Sequence, residues 1–244
     1  MSTRVSILIF SAFLLVVAGC KHSVVENNDG GKGAKAAPVK SEDAELENAE
    51  TENAKSVDLF DGTTLTNWKS TNFGGEGDVT VVDGTIQLET GYSMTGITWA
   101  GDDLPKTDYE LSLDAKRVDG NDFFCGLTVP VAGSHCSLIV GGWGGALLGL
   151  SCIDGFDASE NRTTQFHDFE SDRWYQFKIR VKPDSITVWM DGKEIVHHPL
   201  EGHKITVRNE TLPSCPLGVC SFETTAQLKN FKLKTSTSPS ETSK

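Results

Sequence analysis

A tryptophan set between paired glycines, Gly141-Gly142-Trp143-Gly144-Gly145, stands a few residues before a segment rich in titratable and amide side chains. That segment holds Asp154, Asp157, Glu160, Asn161 and Arg162, followed by His167 and Asp168; upstream lie Asn121, Asp122 and His135. Carboxylates and imidazoles beside an arginine can move protons and hold developing negative charge, the parts that general acid–base chemistry needs. Glycines on both sides of Trp143 let backbone and ligand come close. An indole exposed there suits stacking on the apolar face of a pyranose. The competing reading makes Trp143 a cap on the core, and makes Asp154 and Asp157, beside Gly155, plain turn formers. Asp157, Glu160 and Asn161 also offer oxygen ligands at short spacing, so a divalent cation such as calcium is a candidate occupant of that loop. His197 and His198 are adjacent in a strand pattern and face opposite ways, which argues against a metal pair.

The elements that must carry these residues read as strands. Val79-Thr80-Val81-Val82 and Thr85-Ile86-Gln87-Leu88 are joined by Asp83-Gly84, a type I′ hairpin signal. Tyr109, Leu111, Leu113 and Ala115 alternate with polar residues, as do Tyr175, Phe177, Ile179 and Val181, so each strand has one wet face. Pro183-Asp184 and Asp191-Gly192 turn the chain on either side of Ile186-Thr187-Val188-Trp189-Met190. Ser137-Leu138-Ile139-Val140 and Ala146-Leu147-Leu148-Gly149-Leu150 are apolar on both faces and belong inside packed sheets. About a dozen short strands with frequent turns predict an all-β fold, a two-sheet antiparallel sandwich, with a jelly roll the most economical topology. Trp189, on the face opposite Val188, is expected between the sheets, with lining the Trp143 groove as the alternative; Trp68, Trp99 and Trp174 read as core or strand-end packing.

The 244 residues carry a net charge of −12, which argues against nucleic acid or anionic lipid as a direct partner. Arg4 and a short apolar run lead to Val17-Ala18-Gly19-Cys20, with small residues before the break, as in a secretory signal. This tetrapeptide resembles the lipobox of bacterial lipoproteins. The resemblance implies a signal peptide over residues 1–19, a lipidated Cys20 at the mature start, and a lipid anchor in the cell envelope. Lys21 stands where an inner-membrane retention signal would place Asp, which points to the outer membrane. Residues 20–55 have almost no large apolar side chains and read as an acidic, disordered spacer, residues 56–234 as the domain, and 235–244 as a disordered tail. Beyond Cys20, five cysteines remain: Cys125, Cys136, Cys152, Cys215 and Cys220. They cannot all pair within one chain; Cys215 and Cys220 are the candidate bridge.

Three stretches resemble one family. Val57-Asp58-Leu59-Phe60-Asp61-Gly62-Thr63-Thr64-Leu65-Thr66-Asn67-Trp68 is similar to the "LFDG-x-T-L-x-x-W" opening of the 3-keto-disaccharide hydrolases. The Val79 to Ile86 hairpin and the pair Arg173-Trp174-Tyr175 with Ile186-x-x-Trp189-x-Asp191-Gly192 fit later parts of its pattern. The resemblance implies a concanavalin/laminin-G-like jelly roll acting on a glycoside oxidised at carbon 3. The ketone acidifies the carbon-2 hydrogen, a base removes it, and an acid releases the aglycone from carbon 1. On that reading His135, Asp154 and Glu160 are the catalytic candidates, and Asn121, Asp122, Trp143, Asn161, Arg162 and His167 the substrate-binding ones. The middle departs from the pattern. Thr128 and Pro130 stand where the family places arginine, and His135-Cys136-Ser137-Leu138-Ile139-Val140 lacks its carboxylate. That departure keeps a non-catalytic carbohydrate-binding or adhesion module in play.

Overall fold

The computed structural model describes residues 54–236. The signal peptide, Cys20, most of the spacer and most of the tail lie outside the described residues. The strands are, in chain order, β1 (Ala54–Asp58), β2 (Trp68–Ser70), β3 (Val79–Val82), β4 (Thr85–Leu88), β5 (Met94–Trp99), β6 (Tyr109–Gly120), β7 (Cys125–Val131) and β8 (Ser134–Gly141). After a helical turn (Gly142–Gly145) come β9 (Leu147–Ser151), β10 (Gln165–Phe166), β11 (Tyr175–Val181), β12 (Ser185–Met190) and β13 (Lys193–Pro199). A short 3-10 helix (Asn209–Ser214) precedes β14 (Gly218–Phe222) and β15 (Thr224–Ser236).

All pairings are antiparallel, and they make two sheets. The first runs β13-β12-β11-β6-β15-β4-β3, with β1 also on β15; the second runs β10-β9-β8-β7-β14-β5-β2. This is the expected jelly-roll sandwich. Pairing reaches Ala54 and Ser236, which oppose each other, so the sheet extends slightly beyond 56–234 at both ends. The hairpin turns form as the sequence predicts: Asp83 and Gly84 have φ 48° and 77°, Asp191 and Gly192 have φ 50° and 78°.

The core lies between the sheets. Leu111, Leu113, Phe177 and Ile179 from the first meet Leu127, Val129, Leu138 and Val140 from the second. Period-two alternation puts them there. The opening motif is a structural clasp: Leu59 and Phe60 are buried, Asp61 Oδ1 accepts the Thr63 and Thr64 N–H groups at 2.7 Å, and Trp68 Nε1 donates to the Leu59 carbonyl at 2.7 Å. Trp68 then packs edge-on against Trp99, ring centres 5.2 Å apart. Trp189 corrects its expectation. It lies on the outer face of the first sheet, under Lys178 Nζ at 4.1 Å, because its neighbour Val188 takes the inward position. The five cysteines from Cys125 onward are free thiols; Cys220 is buried against the Gly126 carbonyl rather than bridged to Cys215.

Candidate functional site

The outer face of the second sheet is partly covered. Residues 200–217 cross it as a strap, starting where Ile205 bridges Ile153 and Cys152 exchanges backbone hydrogen bonds with Thr206. Thr98 Oγ1 donates to the Pro213 carbonyl at 2.9 Å, which fixes the 3-10 helix over β5. Thr98 faces away from the core and is still only 2% exposed, because the strap lies on it.

Beside the strap an open cleft of ≈ 540 Å³ remains. Its floor crosses neighbouring strands: Met94 on β5 pairs with Phe222 on β14, the Phe222 ring lies 5.7 Å from Phe123 before β7, and Ile139 on β8 follows. Trp143 stands at one end and is 47% exposed. Polar groups come from Asp122, from Asn72 and Ser93, and from Arg208, Asn209, Glu210 and Thr211 on the strap. Phe73 closes another side. Its loop is pinned by the Glu76 carboxylate, which accepts the Phe73, Gly74 and Gly75 N–H groups at 3.1, 2.9 and 3.0 Å. Backbone N–H donors, its own first, hold that carboxyl below its ordinary range.

The indole is placed by a braced turn. Trp143 has φ 49° and ψ 55°, a left-handed conformation that is costly for a bulky side chain and signals an imposed geometry. Arg117, on β6 of the opposite sheet, donates from Nη2 to the Gly145 carbonyl at 2.8 Å. Asp122 Oδ1 accepts the Phe123 N–H at 2.7 Å and Oδ2 accepts the Gly144 N–H at 3.2 Å. Glycine is required here: a Cβ on Gly141 would lie 2.6 Å from Arg117 Nη2, and one on Gly145 3.0 Å from the Asn121 carbonyl. Burial draws the Arg117 pKa down, and the Asp122 charge opposes that.

Of the residues singled out in the sequence, Trp143 and Asp122 line the cleft together, and exposed Asn121 backs the turn through its carbonyl. The others do not converge with them. His135 stands near the start of β8 opposite Pro130, whereas Trp143 follows the strand's far end, about 20 Å away for an extended chain. Burial, with Lys106 nearby, lowers the His135 pKa. Asp154 is bound to His203 Nδ1 and to the Lys204 N–H, each at 2.7 Å, and so clasps the start of the strap. Glu160, Arg162 and Asp168 are exposed and outside the cleft lining. Asn161 is structural: Nδ2 donates to the Leu150 and Asp157 carbonyls at 2.7 and 2.6 Å, and Oδ1 accepts from Thr163. His167 packs on Phe169, ring centres 4.7 Å apart. The 154–162 loop and His135 thus stand outside the lining of the cleft beside Trp143.

Asp157 reaches the cleft indirectly. Its Oδ2 accepts from Arg208 Nη1 at 2.7 Å, while its Oδ1 accepts from the Ser159 N–H and hydroxyl. Arg208 Nη2 also contacts Glu210 at 3.1 Å and, as the first cause, holds the Glu210 carboxyl below its usual range. Of the three residues expected to offer oxygens to a cation, Asp157 and Asn161 are therefore committed elsewhere. Among the described residues, no group of three or more His, Cys, Asp or Glu side chains is placed to hold a metal. Sequence reasoning missed Arg208 and Glu210. The signal available was the long connection between β13 and β14, since connections beyond about 12–15 residues without strand or α-helix are commonly functional.

Solved structures share this architecture at low identity. A Bacillus subtilis protein of unknown function with a galectin-like fold is 10% identical, with a TM-score of 0.51 over 75% of this chain and 96% of that one. The Crh5 transglycosylase is 11% identical, with a TM-score of 0.50 over 77% of this chain and 85% of its own. SCLam, a non-specific endo-beta-1,3(4)-glucanase from family GH16, is 8% identical, with a TM-score of 0.50 over 76% and 92%. These likenesses show the fold alone. Among curated proteins none matches the chain. The sequence pattern of one family covers residues 55–234, nearly the whole sandwich with its clasp and its cleft: the chain belongs to the 3-keto-alpha-glucoside-1,2-lyase-like domain family.

Proposed function

We propose that the domain takes a glycoside oxidised at carbon 3 into the cleft beside Trp143 and eliminates its aglycone. The observation that carries the sugar reading is the half-exposed indole, held in a left-handed turn over an apolar floor and facing charged groups. Such a site stacks one face of a pyranose and hydrogen-bonds its edge. The solved structures of similar fold include a transglycosylase and a glucanase, and family membership supports the same substrate class.

The ionisable side chains lining the cleft are Asp122, Arg208 and Glu210. Asp122 is assigned as the base and Arg208 as the counter-charge to the enolate. The carbon-2 proton passes to the carboxylate and the C1–C2 double bond forms. The C1–O bond breaks, and its electron pair leaves with the aglycone oxygen, which takes up a proton. A non-catalytic binding module is the second reading. What favours it is that Asp122 already accepts two backbone N–H groups and Arg208 already binds Asp157 and Glu210.

Incubating the purified domain with 3-keto-glucosides separates the two. Release of aglycone that stops in Asp122→Asn supports elimination. Saturable binding without release leaves the module, and neither binding nor release removes the sugar reading. The domain is further assigned to the outer membrane through a lipid on Cys20, supported by the Val17-Ala18-Gly19-Cys20 sequence. Wild-type chain in the membrane fraction and Cys20→Ala in the soluble fraction is the expected result; unchanged partitioning would refute the anchor.

A further inference from the structure

We infer that the aglycone accepted by this cleft is aromatic or otherwise apolar, and not a second sugar; the inference rests on the glycoside reading of the same site. The polar groups of the cleft stand at Asp122, along the strap, and at Asn72 and Ser93 beside Phe73 and Met94, while the row of floor side chains between them carries no hydrogen-bonding group. Met94, Phe222, Phe123 and Ile139 come from β5, β14, the approach to β7, and β8, which are consecutive neighbours in the second sheet. At the ordinary strand spacing the row is about 14 Å long. One pyranose stacked on Trp143 leaves much of it uncovered.

The backbone beneath the row cannot supply the missing polarity. The Phe222 N–H donates to the Phe123 carbonyl at 3.0 Å, and Met94 and Phe222 are partners in the ladder between β5 and β14. A second sugar laid on this surface would find side-chain partners only at the ends of the row, and hydroxyl groups held over the row itself would lose water without gaining any, an unfavourable exchange. An aryl or alkyl group removes apolar surface from water on both sides. The Phe123 and Phe222 rings, 5.7 Å apart and tilted by 30°, present a broad aromatic face. Phe73, on its pinned loop, supplies a further wall.

The test is equilibrium binding of three unoxidised glucosides, which cannot eliminate, to the full chain: methyl α-glucoside, p-nitrophenyl α-glucoside and maltose. The p-nitrophenyl compound is expected to bind about tenfold or more tighter than maltose, from the buried area of one aromatic ring. Phe222→Ala is expected to weaken the p-nitrophenyl compound more than the methyl glycoside. Maltose binding as tightly as the p-nitrophenyl compound in the wild-type chain would overturn the apolar aglycone and leave the sugar site standing. If none of the three binds, the sugar reading fails and the aglycone inference goes with it.

Discussion

The Arg117 guanidinium, rooted in the first sheet, reaches across the sandwich to the Gly145 carbonyl at 2.8 Å and braces the turn that displays Trp143 on the second. The contact is buried, with Arg117 only 6% exposed, and its Nε has no acceptor. A charge placed there at such cost implies that the position of the turn matters more than core stability.

Arg117→Met should show this. It removes the charge at similar length but leaves the Gly145 carbonyl without its donor, a loss of roughly 1–3 kcal/mol. Freed from its brace, the indole should sample several orientations, so sugar affinity should fall with stability. Chemical denaturation and glucoside titration together check it. A variant that loses stability and keeps full affinity would mean that Asp122 alone positions the turn.

Trp143→Gly should separate stability from binding. The left-handed backbone at Trp143 costs about 1–2 kcal/mol that glycine does not pay. With 47% of the residue exposed, about half of the indole is packed, and losing that burial costs about as much or more. The melting temperature should therefore stay level or fall, by about 2–4 °C for each kcal/mol of net loss in a domain of this size. A lost stacking contact of about 1.5 kcal/mol corresponds to about tenfold in Kd. Unchanged sugar affinity would contradict the functional reading of the strained turn.

The sandwich was legible in the sequence because its cause is local. Tyr109, Leu111, Leu113 and Ala115 face inward for no reason beyond alternation, and Asp83-Gly84 and Asp191-Gly192 turn where their backbones allow. Trp143 was legible as well, since its glycine neighbours mark a backbone that side chains would obstruct. Half of the cleft was not. Arg208 and Glu210 enter through contacts far apart in the chain, Ile153 with Ile205 and Asp157 with Arg208, that no periodicity encodes. His135 misled for the opposite reason: its residue type suits catalysis, but its place near the start of β8 puts most of the strand between it and Trp143.

Asp157 and Arg208 should act as one unit. Their pair is partly exposed, with side-chain exposures of 18% and 40%, so Asp157→Asn, which keeps an acceptor for Ser159, should cost less than about 1 kcal/mol of stability. Sugar affinity should fall further than that, because Arg208 loses the contact that aims it. Arg208→Ala should also weaken binding, and the double variant should be no worse than Arg208→Ala alone. Additive losses in this cycle would show that Asp157 supports the site by some other route.

His198 should make stability depend on pH. The imidazole is fully buried, and neither ring nitrogen has a hydrogen-bond partner. Burial first, then the nearby His203, lowers its pKa from 6.5 to about 4; Arg162 and His197 act in the same direction and Asp154 against it. The unfolded chain thus binds a proton near pH 6.5 that the fold refuses until about 4. Stability from the neutral ring is complete above 6.5 and is lost as the pH falls through that interval. Asp154 adds a separate loss only below its ordinary value of 3.8, since the bonds to His203 and Lys204 depress its pKa. His198→Leu removes both the titration and the unpaired nitrogens, so its denaturation midpoint should match or exceed wild type at neutral pH. Its lead should widen steadily toward about pH 4.5, where the wild-type fold still excludes the proton. Midpoints that run parallel over that range would show that His198 takes up its proton in the folded chain as readily as in the unfolded one.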